Sequence, residues 1–225
     1  MTLLNPVPSE ARDPKRLLDH ALHAWGGKGD IWVFGYASLI WRPEFESVED
    51  RPATVYGWHR ALAMRSRVNR GTPECPGLVF ALVPGGCCRG RAYRIEQSRV
   101  AAELHRLWGR EMPNGVYDPK WLVCRTPLGA VKGLAFTLSR KSPSHTGALP
   151  DTQMLEILRT ANGRYGSTLA YLIETARSLR SCGIRDRDVE RLVALAERHA
   201  LGHDSGGQGS GSGPTVRGLA ASGAG

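Results

Sequence analysis

Glu111 sits in the run Trp108-Gly109-Arg110-Glu111-Met112-Pro113, where a helical pattern gives way to a proline. A carboxylate with one arginine beside it and apolar residues around it has two readings. It is a surface ion pair of small energetic worth, or a buried base whose proton affinity is set by its surroundings. A second stretch, Ile31-Trp32-Val33-Phe34-Gly35-Tyr36-Ala37-Ser38-Leu39-Ile40-Trp41, begins as a β-branched and aromatic strand and then meets small and hydroxyl-bearing residues. A turn there is either an ordinary connection or a nest of amides that suits an anion or a developing oxyanion. Neither Gly-x-x-x-x-Gly-Lys-Ser/Thr nor Gly-x-Gly-x-x-Gly occurs, so phosphate is not what it is built for. Tyr117 and Tyr171 are either core tyrosines with satisfied hydroxyls or groups that orient a ligand. Arg65 and Arg70, in a polar loop, are either exposed or partners for a carboxylate.

Other candidates carry less. Ser38 lacks a Gly-x-Ser-x-Gly context, so an acyl-enzyme hydrolase is not supported. His20 and His23 have no third ligand nearby. His199 and His203 are separated by the helix-ending Gly202, with no His-Glu-x-x-His, so no metal site is expected. The five cysteines, Cys75, Cys87, Cys88, Cys124 and Cys182, lack Cys-x-x-Cys spacing and read as reduced thiols.

The formal charge of +9 arises from 30 Lys and Arg against 21 Asp and Glu. The basic residues are spread along the chain without a dense tract and interleaved aromatics. That pattern reads as a solvated basic surface rather than a nucleic-acid footprint. At 225 residues and 41% hydrophobic content, one domain with a substantial core is expected. No apolar run approaches the ~20 residues of a membrane span, and the first residues do not form a secretory signal. A cytosolic protein, and a monomer, is the expectation.

The elements that must position these groups follow from periodicity. Residues 1–13 read as a loose arm, and 14–25 as an amphipathic helix stopped by Gly26-Gly27. Strands are predicted at Ala53 to Tyr56 and Ala61 to Met64, either side of Gly57-Trp58-His59-Arg60. Leu78 to Val83 and Gly90 to Ile95 read as a hairpin around Pro84-Gly85-Gly86. A helix capped by Ser98 runs to about Trp108, and strands near Val116 to Arg125 and Val131 to Leu138 follow. Three helices are predicted from 152 to 161, 167 to 181 and 186 to 199, with Asp151 and Ser167 as N-caps and Gly163 and Gly183 as stops. The Gly/Ser-rich stretch 202–225 reads as a disordered tail. Short strands followed by helices indicate an α+β domain on a mostly antiparallel, barrel-like sheet over 14–201.

Gly35-Tyr36-Ala37-Ser38-Leu39-Ile40-Trp41 resembles the Tyr-Gly-Ser-Leu loop of the γ-glutamylcyclotransferases, in particular the ChaC-like branch that acts on glutathione. Gly57-Trp58-His59-Arg60, Arg70-Gly71-Thr72, Gly90-Arg91-Ala92-Tyr93-Arg94, Arg110-Glu111-Met112 and Gly115-Val116-Tyr117 continue the resemblance in order, over roughly 30–199. It implies a small barrel decorated by helices. It also implies that Glu111 is the catalytic base and acid that turns glutathione into 5-oxoproline and Cys-Gly, with no metal or cofactor. The run Val33, Phe34, Gly35, Tyr36, Ala37, Ser38 and Leu39 is then implied to hold the γ-glutamyl group, with Tyr117, Tyr171 and Arg65 completing the pocket. One departure is Ala37, where the family usually has Gly: an alanine disfavours φ > 0, so either this position takes an L-allowed conformation or ligand affinity suffers.

Overall fold

A strand buried on both faces organises the chain. In β1 (Ile31–Gly35), alternate side chains serve different cores. Ile31 and Val33 pack with the residues beneath the N-terminal helices, and Phe34 packs with those beneath the C-terminal helices. That double burial is why the run reads as uninterrupted apolar sequence rather than as alternation. The computed structural model describes residues 12–201. Residues 1–11 of the expected arm and the expected tail from Gly202 lie outside the described residues.

Around β1 closes a barrel with β2 (Glu49–Ser66), β3 (Gly77–Ile95), β4 (Asp118–Thr126) and β5 (Gly129–Thr137), in the order β1-β3-β2-β4-β5. Neighbours pair antiparallel except β1 with β5, where Trp32 faces Gly133 and Val33 faces Leu134 in parallel and shut the barrel. The architecture is the α+β barrel that the strand-then-helix pattern predicts.

The expected hairpin at Pro84-Gly85-Gly86 does not form. β2 and β3 are long continuous strands, and their pairing passes directly through this point: Tyr56 faces Cys87 and Trp58 faces Pro84. Gly57 on one strand therefore opposes Gly85 and Gly86 on the other, and all three have positive φ (79°, 109° and 68°). Glycines at positive φ serve a bulge as readily as a turn. Here the ladder on either side decides for the bulge, which bends the ribbon so that the barrel can close. The true reversal is the loop from Arg67 to Pro76, at the far end of the ribbon.

Helix α1 (Pro14–Trp25) is capped by Asp13, which accepts from the Lys15 amide at 2.9 Å, and stops at Gly26 in the left-handed region. Helix α2 (Ser38–Trp41) is a single turn directly after β1. Helix α3 (Val100–Glu111) follows a 3₁₀ turn at Gln97–Arg99 and runs three residues past the predicted end, so Glu111 is its last residue. In α4 (Asp151–Thr160) Asp151 is the first helical residue rather than the cap; Pro150 holds the cap position without a side-chain bond. Gly163 stops no helix directly, but lies in a two-residue ladder, β6 (Asn162–Gly163) with β7 (Gly166–Ser167). Ser167 caps α5 (Thr168–Ser181), and Asp186 caps α6 (Arg187–Arg198). Gly183, at φ 67°, turns the chain between them.

Packing of β1 against β3 is tight enough to require glycine. A Cβ on Gly90 would lie 2.3 Å from the Gly35 carbonyl oxygen and 2.9 Å from the Phe34 ring. By contrast, a Cβ on Gly109, within α3, would meet nothing within 4 Å. Gly90→Ala is expected to destabilise by at least ~2 kcal/mol through overpacking. Gly109→Ala is expected to stabilise by about 0.5–1 kcal/mol, because alanine costs less backbone entropy in a helix. Thermal or urea unfolding of the two variants measures both, and opposite signs are the expected result.

Candidate active site

The exit of β1, the end of α3 and the loop closing the β2–β3 ribbon converge on one cavity of about 790 Å³. Its floor is aromatic, from Tyr36, Tyr117, Phe136 and Tyr171, and Glu111 opens into it.

Glu111 is fixed from three sides. Trp108, one turn earlier on α3, is buried and donates its indole N–H to the Pro14 carbonyl at 2.9 Å. Met112 is fully buried, and its amide closes onto the Trp108 carbonyl at 2.8 Å. Beyond it, Arg12 donates to the carbonyls of Gly115 (3.2 Å) and Val116 (2.6 Å) and to Asp118 (3.0 Å), which sets the segment that carries Tyr117. The Glu111 side chain is 14% exposed, with the Arg110 Nε 2.9 Å from its carboxylate. Arg110 also reaches Glu44 at 3.1 Å and donates to the Arg42 carbonyl.

Burial pushes the Glu111 carboxyl above its usual range, and the Arg110 guanidinium pulls it partly back. The C-terminal end of α3, where carbonyls gather, disfavours a negative charge in the same sense as burial. Burial also raises the three tyrosines: Tyr36 and Tyr117 well above their ordinary value and Tyr171 to about 12. The Glu111 charge adds to the rise in all three. Their hydroxyls therefore stay protonated around the carboxylate. Tyr36 donates to the Phe136 carbonyl at 3.0 Å, and the Tyr171 hydroxyl accepts from the Phe80 amide at 3.4 Å.

Ala37 has φ −144° and ψ −114°, so it does not take the left-handed conformation that favours glycine. The loop amides of Ala37, Ser38 and Leu39 make no hydrogen bond to another group among the described residues. Downstream, the Ile40 and Arg42 amides fold back onto Ala37 and Ser38 at 2.9 and 2.8 Å.

Of the residues singled out from sequence, Tyr36, Ala37, Ser38, Leu39, Arg65, Glu111, Tyr117 and Tyr171 line the cavity. Val33, Phe34 and Gly35 do not line it. Val33 and Phe34 are fully buried in the two cores, and the α-carbon of Gly35 is packed against Tyr93 and Leu39. The strand carries the site without touching its contents. Tyr117 precedes β4 rather than lying on it.

Sequence reading missed one wall. Arg164 and Tyr165 sit between β6 and β7, and their amides bond the carbonyls of Val68 (2.8 Å) and Asn69 (2.9 Å) in the ribbon loop. Gly163 permits this: a Cβ there would be 2.5 Å from the Gly71 amide. Arg70 bridges the two segments by donating to the Tyr165 carbonyl, and its guanidinium lies 5.0 Å from the Tyr171 ring centre. The Gly163-x-x-Gly166 spacing was the available signal, since it suits a tight reversal as well as a helix stop. Among the described residues no group of three His, Cys, Asp or Glu side chains is placed to hold a metal ion. None of the helices described is long and apolar enough to cross a membrane.

Comparison with known proteins agrees with the geometry. The family model described as ChaC-like protein matches residues 31–199, three quarters of the chain. The chain belongs to the ChaC-like family. A ChaC-like relative from Escherichia coli K12, named glutathione-specific γ-glutamylcyclotransferase, is 32% identical over 76% of this chain and 74% of its own. Its Schizosaccharomyces pombe counterpart of the same name is 31% identical over 76% of this chain and 93% of its own. Among solved structures, a γ-glutamyl cyclotransferase specific to glutathione from yeast superposes with a TM-score of 0.67 at 20% identity. It covers 79% of this ChaC-like chain and all of the yeast one, which establishes the shared fold.

The opposed influences on Glu111 give a prediction with a definite sign. Arg110→Gln removes the charge that lowers this carboxyl, so Glu111 in the variant titrates at a higher pH than in the parent, followed by 13C NMR of the side-chain carboxyl. A carboxyl raised on folding binds its proton more tightly in the folded state. Its contribution to stability is therefore complete below the ordinary glutamate value and is lost as pH rises through the raised one. Glu111→Gln is expected to flatten that part of the stability–pH curve.

Proposed function

We propose that this ChaC-like chain is an enzyme, a glutathione-specific γ-glutamylcyclotransferase that converts glutathione into 5-oxoproline and Cys-Gly. The observation that carries the reading is a single shielded carboxylate, Glu111, sharing a cavity with the loop Tyr36–Leu39. The names and coverage of the bacterial and fission-yeast relatives support the same substrate.

The chemistry asks for one acid group. The α-amine of the γ-glutamyl residue is mostly ammonium near neutral pH and cannot attack until it is deprotonated. Glu111 takes that proton. The freed nitrogen lone pair forms a bond to the γ-carbonyl carbon of the same residue, and the carbonyl electrons move onto oxygen. As the carbonyl reforms, the bond to the cysteinyl nitrogen breaks and that nitrogen receives the proton held by Glu111. The surplus proton of the new ring nitrogen then passes through the same carboxylate to the released amine, leaving a neutral lactam and the Cys-Gly ammonium. One carboxyl acts first as base and then as acid, and no water, covalent enzyme intermediate or metal takes part in any step.

Because the attack is intramolecular, the protein's main task is to hold the γ-glutamyl chain folded, which is worth several kcal/mol. In this reading the loop residues Tyr36, Ala37, Ser38 and Leu39 grip the γ-glutamyl end. Tyr117 and Tyr171 orient it beside Glu111, and Arg65 with Arg70 takes the glycine carboxylate. The raised affinity of Glu111 for its proton suits the second half of the cycle, when it must protonate a departing nitrogen. The Arg110 guanidinium, which favours the ionised form, suits the first half. A monomer working in the cytosol, with no nucleic-acid partner, completes the proposal.

The experiment is product analysis with glutathione. Wild type should release 5-oxoproline and Cys-Gly in equal amounts. Glu111→Gln, which matches the shape and removes the base, should lower the rate by at least ~100-fold while glutathione still stabilises the variant against heat. Undiminished turnover in that variant would rule out the mechanism.

A further inference from the structure

Arg60 has no contact with the cavity, yet it is one of the most completely buried large side chains of the described chain. It stands on β2 within Gly57-Trp58-His59-Arg60, and each arm of its guanidinium has a partner. The Nε donates to the Tyr36 carbonyl, Nη2 donates to the Arg89 carbonyl at 2.5 Å, and Nη1 pairs with Asp186. Asp186 in turn caps α6, its other oxygen accepting from the amides of Asp188 (3.2 Å) and Val189 (3.3 Å). One buried cation thus ties together the exit of β1, the facing stretch of β3 and the start of the last described helix.

We propose that Arg60 is a positioning residue for the substrate loop, and that Asp186, on the far side from the cavity, holds it in that role. The inference rests on the proposed use of the loop as the γ-glutamyl grip. In a trans peptide the carbonyl and the following N–H point in opposite directions. Fixing the Tyr36 carbonyl on Arg60 therefore fixes the Ala37 N–H in the reverse sense, and Ala37 is a cavity-lining residue. A fully buried guanidinium cannot drop one acceptor and take up water, so the peptide plane has one stable orientation. The planar fork is what lets a single side chain serve three acceptors in different directions, and an ammonium cannot reproduce it. Through Asp186 the arrangement makes the start of α6 a determinant of the loop backbone.

Asp186→Asn is the informative variant. Asparagine caps a helix about as well as aspartate, so α6 keeps its start while Arg60 loses its counter-charge. Glu190→Gln is the control: it weakens the surface pair between Arg180 and Glu190 that joins α5 to α6, without reaching Arg60. Asp186→Asn should lower kcat/KM for glutathione by ~10- to ~100-fold, the scale of a small misplacement at a reacting centre. Arg60→Lys should show the same division between kcat and KM, and the double variant should be no worse than Arg60→Lys alone. The backbone 15N resonance of Ala37, which shares a peptide unit with the Tyr36 carbonyl, should move in Asp186→Asn and stay in place in Glu190→Gln.

The brace is overturned if Asp186→Asn leaves either kcat/KM or that resonance at the parent value. It is also overturned if Glu190→Gln, at a matched loss of thermal stability, slows the reaction equally. The resonance needs no turnover, so an inactive wild type would reject the reaction while the brace is still judged on the peptide plane.

Discussion

The Glu111 carboxylate stands where burial opposes its ionisation, and the Arg110 guanidinium opposes burial in turn. The pair is only partly shielded, with 18% of the arginine and 14% of the glutamate side chain exposed, so solvent still screens it and the balance is soft rather than locked. Removing the guanidinium would leave Glu111 among three protonated tyrosines with burial unopposed. Arg110 is itself shared with Glu44 and the Arg42 carbonyl.

The fold supplies the rigidity this balance needs. A lone base works only if the attacked carbonyl is held within bonding distance, so the loop after β1 and the end of α3 must keep a constant separation. β1 is paired on both edges and packed on both faces, which leaves it no freedom to slide. The end of α3 is pinned to the start of α1 through Trp108 and the Pro14 carbonyl, and Arg12 clamps the chain beyond. The ribbon loop and the β6–β7 reversal, bonded to each other, form the opposite wall at the end of β2 and β3. Elements distant in sequence thus meet through backbone hydrogen bonds and glycine contacts.

That distinction separates what was legible in the sequence from what was not. Local signals read well: the Ser167 cap, the helix stop at Gly26, the three C-terminal helices and the buried strand β1 all have causes within a few residues, whereas Asp13, read as part of a loose arm, caps α1. The bulge at Gly85-Gly86 was misread because a positive-φ pair looks the same in a turn and in a bent ladder, and only the partner strand tells them apart. Val33, Phe34 and Gly35 were expected at the site through the family resemblance alone, and adjacency along a strand says little about which residues face a cavity. The role of Glu111 followed from resemblance, since an Arg-Glu dipeptide by itself suits a surface pair just as well. Arg164 and Tyr165 left almost no trace, because their position depends on a register with residues nearly a hundred places earlier.

The surplus of basic charge takes on a local meaning once the cavity is described. Arg12 is matched by Asp118, Arg42 by Glu44, and Arg110 by Glu111 and Glu44. Arg65, Arg67 and Arg164 also line the cavity, and among the described residues no carboxylate pairs with them. Uncompensated cations around a concave opening raise the local concentration of anions and favour their capture. Glutathione carries carboxylates at both ends, so an arginine-rich mouth suits the substrate proposed above. Arginine is suited to this because its fork can meet a carboxylate with two parallel hydrogen bonds while its face rests on an aromatic ring, as that of Arg70 rests on Tyr171. Under the proposed reaction, the base sets the bond that is cut, and the basic rim supplies the contacts through which the charge of the leaving peptide would count.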